Sequence, residues 1–247
     1  MTMTLRKGRY VARFAQNDAD VTAAQALRHL CFVTAAGRAP LADGLDRDRF
    51  DPLCRHVLIE DGFRRLVACF RLLPLSSATE IGGSYAAQYY DLCGLQRFTG
   101  RLVEIGRFCV DPGLSDPDVL RVAWGALTRF VDATGVDMLF GCSSFAGVSP
   151  DLYRDAFGLL QARHLGPDQW RPGIKAAEVI RFAPAATDPR LALLHMPPLL
   201  RTYLGMGGWV SDHAVVDRAM NTLHVFTGVE IAAIPAGRAR ALRAVAV

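Results

Sequence analysis

Lysine is almost missing from this chain. Of 28 basic residues only Lys7 and Lys175 are lysine, and the rest are arginine. The net charge of +4 is small and spread along the sequence, which excludes a nucleic-acid-binding stripe. It leaves room for a basic face toward an acidic protein or an anionic membrane surface. No run of about 18 apolar residues occurs, so no membrane-spanning helix is expected. The start, MTMTLRKGRYVARFA, is basic but lacks an apolar core segment and is no secretory signal. A cytoplasmic location is therefore expected. CxxC pairs are absent. The cysteines at 31, 54, 69, 93, 109 and 142 have no histidines at ligand spacing, so they are read as buried small hydrophobes in a reducing compartment, with no metal site. GCSSF lacks the glycine-flanked form of a serine-hydrolase elbow.

What is present has the pattern of a layered α/β domain. Residues 9–15 alternate and predict a strand, and 20–33 have helical apolar spacing after Asp18, Asp20 and Thr22. Residues 34–50 read as a loop. The runs 56–60 and 65–73 predict strands joined at Asp61-Gly62, a hairpin signal. A polar connection, 76–100, has a short helix predicted near 85–95. Then come a strand at 101–110, a helix at 116–135 ending on Gly135, and a strand at 136–145. A helix at 149–166, with Ser149 as cap and Pro150 in the first turn, precedes a late strand near 178–183. This order predicts a mixed sheet flanked by helices. Residues 1–183 are expected to form the core. The Pro-rich stretch 184–198 then leads into an extension, 184–247, packed on that core.

Three clusters carry polar chemistry in apolar surroundings. Glu104 and Arg107 lie in the strand RLVEIGRFCV, where burying a charge is costly unless it is paired or used. On a regular strand they would face opposite sides, unless Gly106 marks a bulge. An internal Glu–Arg ion pair is the competing expectation. Arg28 and Phe32 share a helix face, and Asp46, Asp48 and Asp51 follow in the loop, where a solvated turn is the alternative. Arg71 inside VACFRLL needs a buried acid. Ser143 and Ser144 end a predicted central strand, where hydroxyls often line a ligand crevice, although two serines in a turn fit as well.

These clusters, in this order, resemble the GNAT acyltransferase superfamily, in the branch that includes the acyl-homoserine-lactone synthases. Arg28, Phe32, Asp46, Asp51, Arg71, Glu104 and Arg107 fall on that branch's pattern. The closer resemblance is to the ornithine-acyl carrier protein N-acyltransferase family. It rests on RYVARFAQNDADVTAAQALRHLCF, FDPLCRHVLIED, VEIGRFCVDP, LFGCSSFAGVSP and MPPLLRTYLGMGGWVSDHAVVDRAMNT. The last segment argues against the shorter lactone synthases. Where coenzyme A users carry a Gly-rich pyrophosphate turn, this chain has DPGLSDPD, poor in free N–H groups.

The resemblance implies a GNAT-like splayed sheet and transfer of a (3-hydroxy) fatty acyl group from acyl carrier protein to the α-amine of L-ornithine. No cofactor would be bound; the carrier's acyl-phosphopantetheine is co-substrate. Glu104 would be the base, through a water, with Arg107, Ser143 and Ser144 assisting. Arg28, Phe32, Asp46, Asp51 and Arg71 would bind substrate. Arg64, Arg65, Arg97, Arg101 and Arg121 would meet the acidic carrier, and the apolar product suggests transient contact with the inner membrane face. A lactone synthase, an N-acyltransferase for another amino acid and a non-catalytic carrier-binding module remain as alternatives.

Overall fold

The computed structural model describes residues 3–184 and 187–246. Met1, Thr2 and Val247, at the ends of predicted segments, and Ala185 and Ala186, in the Pro-rich stretch, lie outside the described residues. The chain divides into two compact units. The first holds the residues up to Pro74, Ile105–Gly135, and those from Ala236 onward. The second holds Leu75–Glu104 and Val136–Pro235.

In the first unit, β1 (Thr4–Lys7), which the sequence pattern did not reveal, pairs antiparallel with β2 (Tyr10–Phe14) through a turn at Gly8. Helix α1 (Asp18–His29) starts on Asn17, whose side chain accepts the Asp20 N–H. It passes into a π-helical turn, Leu30–Thr34. Strands β3 (Arg55–Glu60) and β4 (Leu66–Leu75) form the expected hairpin. Its left-handed residue is Arg64 rather than Gly62, because the loop closes between the Asp61 N–H and the Arg65 carbonyl. No β-strand or α-helix occupies 35–50, as read from the sequence.

The region 76–100 differs from the helix expected at 85–95. In the second unit it holds 3-10 turns at Ala78–Gly83, Ala86–Gln88 and Cys93–Arg97, interrupted by β5 (Tyr90–Asp91). The Asp91 side chain accepts the Cys93 N–H, a local bond that competes with a continuous helix.

Strand β6 (Leu102–Val110) begins in the second unit and ends in the first. Helix α2 (Pro117–Thr134) starts on Asp116 with Pro117 in its first turn and ends on left-handed Gly135, as its sequence predicts. Gly125 is required inside it: a Cβ there would meet Leu5 at 2.7 Å and the Val245 carbonyl at 2.9 Å.

Strand β7 (Met138–Ala146) leads to a 3-10 turn, Asp151–Tyr153, and then α3 (Arg154–Arg163). The helix expected from 149 therefore starts later, because Ser149 and Asp151 bond to each other and close that turn. Strands β8 (Gly173–Ile174) and β9 (Val179–Arg181) precede α4 (Pro189–His195) and α5 (Pro198–Leu204). Strands β10 (Trp209–Val210), β11 (His213–Asp217) and β12 (Thr222–Glu230) follow, and α6 (Ala236–Val245) packs on α2. The segment expected as an extension thus supplies sheet strands: β12 pairs with β7 from Thr222 opposite Ala146 to Glu230 opposite Met138.

The sheet order is β1-β2-β3-β4-β6 in the first unit and β6-β7-β12-β11-β9 in the second. It is mostly antiparallel. Strands β6 and β7 pair in parallel only from Leu102 opposite Met138 to Glu104 opposite Phe140, which is the expected splay. One face of β7 and β12 packs Phe145, Leu223 and Val225 against α3, α4 and α5. On the other face Phe226 meets Tyr90, Phe140 and Trp209. Replacing buried Phe226 with Ala is expected to cost about 3–5 kcal/mol, read as a lower urea midpoint with unchanged slope. A change below about 1 kcal/mol would contradict the packing described.

Candidate functional site

Three arginines and three aspartates of the first unit meet in one buried cluster. Arg28 on α1 donates to Asp46 Oδ2 at 2.8 Å and to Asp51 Oδ1 at 2.7 Å. Arg71 on β4 donates to Asp48 at 2.6 Å and 2.8 Å and to Asp51 at 2.5 Å. Arg107 on β6 donates to Asp46 at 3.1 Å and Asp48 at 3.2 Å. Gln25 adds a bond to Asp51, and His56 meets the Asp51 carbonyl.

Three positive and three negative charges cancel, as burial demands. Burial raises the pKa of Asp51, but the Arg28 hydrogen bond and charge, then Arg71, outweigh it and hold the carboxyl well below the usual range. Asp48 is lowered in the same way by Arg71 and Arg107. The solvated turn expected for these aspartates is replaced by internal pairing.

A bulge is the expectation at Gly106; the residue with left-handed backbone is its neighbour Arg107, with φ 54°. That conformation costs an L-residue about 1–2 kcal/mol, and it breaks the strand's alternation. The two aspartates hold it. Arg107 is also the most open of the three guanidinium side chains, at 13% against 1% for Arg28 and 4% for Arg71. Phe32 lies in the π-helical turn and packs partly buried beside Leu58, Cys69 and Cys109.

Glu104, in the second unit, is 4% exposed. Its two oxygens accept the backbone N–H groups of Tyr85 and Ala86, both at 2.7 Å. These two amides hold the carboxyl in a fixed orientation. The two serines of β7 part. Ser143 is buried and accepts from Thr227, whereas Ser144 is exposed and lies opposite His224 in the ladder.

Around Ser144's partner strand lies a set of residues that motif reasoning missed: Tyr85, Tyr89, Tyr90, Asp217 and His224. They come from segments more than 100 residues apart, and only the β7–β12 register unites them. Burial pushes the His224 pKa down to about 4, with Asp217 opposing and His213 reinforcing. Burial, then the Tyr85 hydroxyl, raises that of Tyr89.

The β6–α2 turn, in the first unit, spends its amides on its own acids. Asp111 accepts the Gly113 N–H and Asp116 the Asp118 N–H, both at 2.9 Å. Arg9 and Tyr10 bind Asp116 in turn. A groove of 310 Å³ beside it is lined by Arg9, Tyr10, Asp61, Phe63, Arg65 and Leu114 among others. Arg64, Arg65, Arg97, Arg101 and Arg121 are all exposed. Arg65 pairs with Asp61 and Asp111, and Arg121 with Asp118.

The six cysteines are free, but only Cys69 and Cys109 are buried; Cys31, Cys54 and Cys142 are intermediate and Cys93 is exposed. The reading of all six as buried hydrophobes is corrected, because four lie in segments that solvent reaches. Among the described residues no group of histidine, cysteine or acid side chains is arranged to hold a metal, and no helix is long and apolar enough to cross a membrane.

Residues 27–125 match the family model described as an acetyltransferase (GNAT) domain. The chain is 37% identical to the L-ornithine N(alpha)-acyltransferase of Rhodobacter capsulatus, over 87% of this chain and 88% of that protein. It is 33% identical to that of Rhizobium meliloti, over 90% and 80%. FeeM, an N-acyl amino acid synthase from uncultured soil microbes, has a similar fold: TM-score 0.52, 13% identity, 97% of this chain and 98% of that one. So does a CoA-dependent acyl-homoserine lactone synthase, at TM-score 0.53 and 15% identity, over 99% and 89%.

Two outcomes are expected. Arg28→Ala takes one of two arginines from each of Asp46 and Asp51, leaving the buried cluster one positive charge short, and should cost about 3–5 kcal/mol; Arg28→Lys should recover only part, since an ammonium cannot bridge both acids. Thermal or urea unfolding reads this, and wild-type stability of Arg28→Ala would refute it. Separately, His224 stays neutral in the fold while the unfolded chain protonates near pH 6.5. Its contribution, of the order of 3 kcal/mol, is full above pH 6.5 and lost as the pH falls to about 4. Urea midpoints across that range should fall for the wild type and fall less steeply, by about one proton, for His224→Phe. Identical slopes would show that His224 is not kept neutral.

Proposed function

Because the chain belongs to the L-ornithine N(alpha)-acyltransferase family, we propose that it transfers a fatty acyl group to the α-amine of L-ornithine, taking it from an acyl carrier protein thioester. Similarity along nearly the whole chain to enzymes of that name carries the reaction. The β6–α2 turn supports the donor. Its amides are occupied by Asp111 and Asp116, and those carboxylates would repel a pyrophosphate where a coenzyme A cradle needs free N–H groups. A carrier-bound phosphopantetheine makes no such demand, and a 3-hydroxyl on the acyl chain leaves the chemistry at the thioester unaltered.

Glu104 is the candidate base. Through a water it takes a proton from the α-ammonium, and the freed amine attacks the thioester carbon. The C–N bond forms, the C–S bond breaks, and the carrier thiolate leaves and picks up a proton. Backbone N–H groups of the splayed strand suit the developing oxyanion. Ser144, exposed on its strand face, is the better placed serine to assist, since Ser143 is buried against Thr227. Arg28, Asp46, Asp51 and Arg71 act by holding Arg107, the most open of the three guanidinium groups, in its left-handed turn, and Phe32 packs beside Leu58, Cys69 and Cys109.

Arg64, Arg97 and Arg101 are docking candidates, and Arg65 and Arg121 contribute less charge because acids already hold them. The protein works in the cytoplasm, and its apolar product brings it to the inner membrane face. Exposed Leu191, Leu193 and Leu194 on α4 suit such transient contact.

Purified protein given L-ornithine and a long-chain acyl carrier protein should yield N-acylornithine by mass spectrometry, with acyl-CoA a much poorer donor. Glu104→Gln should lower kcat/KM by about 10²–10⁴ while the fold persists. Near-wild-type turnover in a folded variant would remove Glu104 as base.

A further inference from the structure

Asp217, the last residue of β11, is a buried carboxylate at 7% exposure. One oxygen accepts the Met220 N–H at 2.9 Å, and the other meets the Tyr89 hydroxyl at 3.5 Å. Among the described residues, no arginine or lysine lies within ion-pair distance of it. The cluster of the first unit shows what this chain does with buried acids it intends to neutralise: Asp46, Asp48 and Asp51 each hold two arginines. Leaving Asp217 without a counter-charge costs several kcal/mol unless something else supplies one.

His224 does not supply it. Its pKa of about 4 keeps the ring neutral near pH 7. The Tyr90 hydroxyl donates to the His224 carbonyl at 2.8 Å, so its oxygen accepts from Nδ1 at 3.1 Å. The proton then sits on Nδ1 and Nε2 is a bare acceptor. That Nε2 is buried and has no hydrogen-bond partner, in a residue 2% exposed.

Two aromatic rings complete the arrangement. Tyr89 stands edge-on to His224 at 4.9 Å and 5.5 Å from the Tyr85 ring, and both tyrosines are half-buried. Ser144, opposite His224 in the β7–β12 ladder, is exposed, so solvent reaches the edge of this otherwise buried face. A carboxylate, a bare imidazole nitrogen and two π faces form a site for a primary ammonium, which brings one positive charge and three N–H donors. Tyr85 also ties the site to the candidate base. Its backbone N–H binds Glu104, while its hydroxyl meets that of Tyr89 at 3.3 Å.

We propose that Asp217, His224, Tyr85 and Tyr89 receive the side-chain ammonium of the acceptor amino acid and so select a diamino acid. This rests on the ornithine reading and locates its specificity. A neutral side chain of the same length would leave Asp217 and Nε2 unpaired, the kind of penalty that yields large discrimination.

The test compares acylation of L-ornithine with that of L-norvaline, which lacks only the terminal amine, using one acyl carrier protein donor. Wild type should prefer ornithine by about 100-fold or more in kcat/KM. Asp217→Asn keeps the oxygen that accepts the Met220 N–H, so the hairpin should fold. It should raise KM for ornithine about tenfold or more, with norvaline turnover changed little. Tyr89→Phe, which leaves the carboxylate in place, should shift the same ratio less. If wild type acylates ornithine and both variants keep its preference, this assignment is wrong while the acceptor stands. If wild type does not acylate ornithine, both fall.

Discussion

Closure of charge fixes the first unit. Three guanidinium groups and three carboxylates, almost sealed from water, are tolerable only because each finds partners in the others. The cluster ties a loop with no regular structure of its own, 35–50, to α1, β4 and β6. Removing one member leaves its partners charged and buried, so the elements stay locked in register. The same closure holds Arg107 in a conformation an L-residue otherwise avoids. Aspartate lies low on its titration curve here because arginine beside it defeats the burial penalty, and that keeps the lock intact at neutral pH.

The second unit treats its acids differently. Glu104 is bound by two backbone amides, and Asp217 by an amide and a phenol. None of these named donors carries a charge. Asp217, unlike the three aspartates of the first unit, has no arginine or lysine within ion-pair distance among the described residues. The two buried carboxyl groups suit different tasks. One fits the removal of a proton from an amine, and the other the recognition of a cation. The closed cluster gives the first unit its shape.

Much of this could be read from the sequence. Strand alternation, the Asp116 start, the Gly135 stop and the apolar face of α2 are local signals, and local energetics decide them; the α1 cap is Asn17, one residue before the Asp18 that the sequence offers. Arg28, Asp46, Asp51, Arg71, Glu104 and Arg107 stood out because charge in an apolar run demands a partner. Which partner each takes depends on tertiary register, so substrate contact and internal pairing could not be told apart along the chain. The short β1 and the broken segment at 76–100 escaped for a related reason: two to four residues carry too little periodicity, and an aspartate bonding its neighbour's amide overrides helix propensity.

The acceptor site was illegible for a deeper reason. Tyr85 and Tyr89 sit in a stretch that reads as polar connection, and Asp217 and His224 sit more than 120 residues later, in a part that looked like an appendage. Nothing in their spacing relates them. They come together because β12 pairs with β7 along its whole length and turns His224 to the face on which Tyr89 and Tyr90 pack. Strand alternation makes that placement strict, since a slip of one residue would send His224 to the opposite face, among Phe145, Leu223 and Val225. The terminal strands therefore do more than complete the sheet: their register decides whether an uncompensated acid and a bare imidazole nitrogen face the same ammonium.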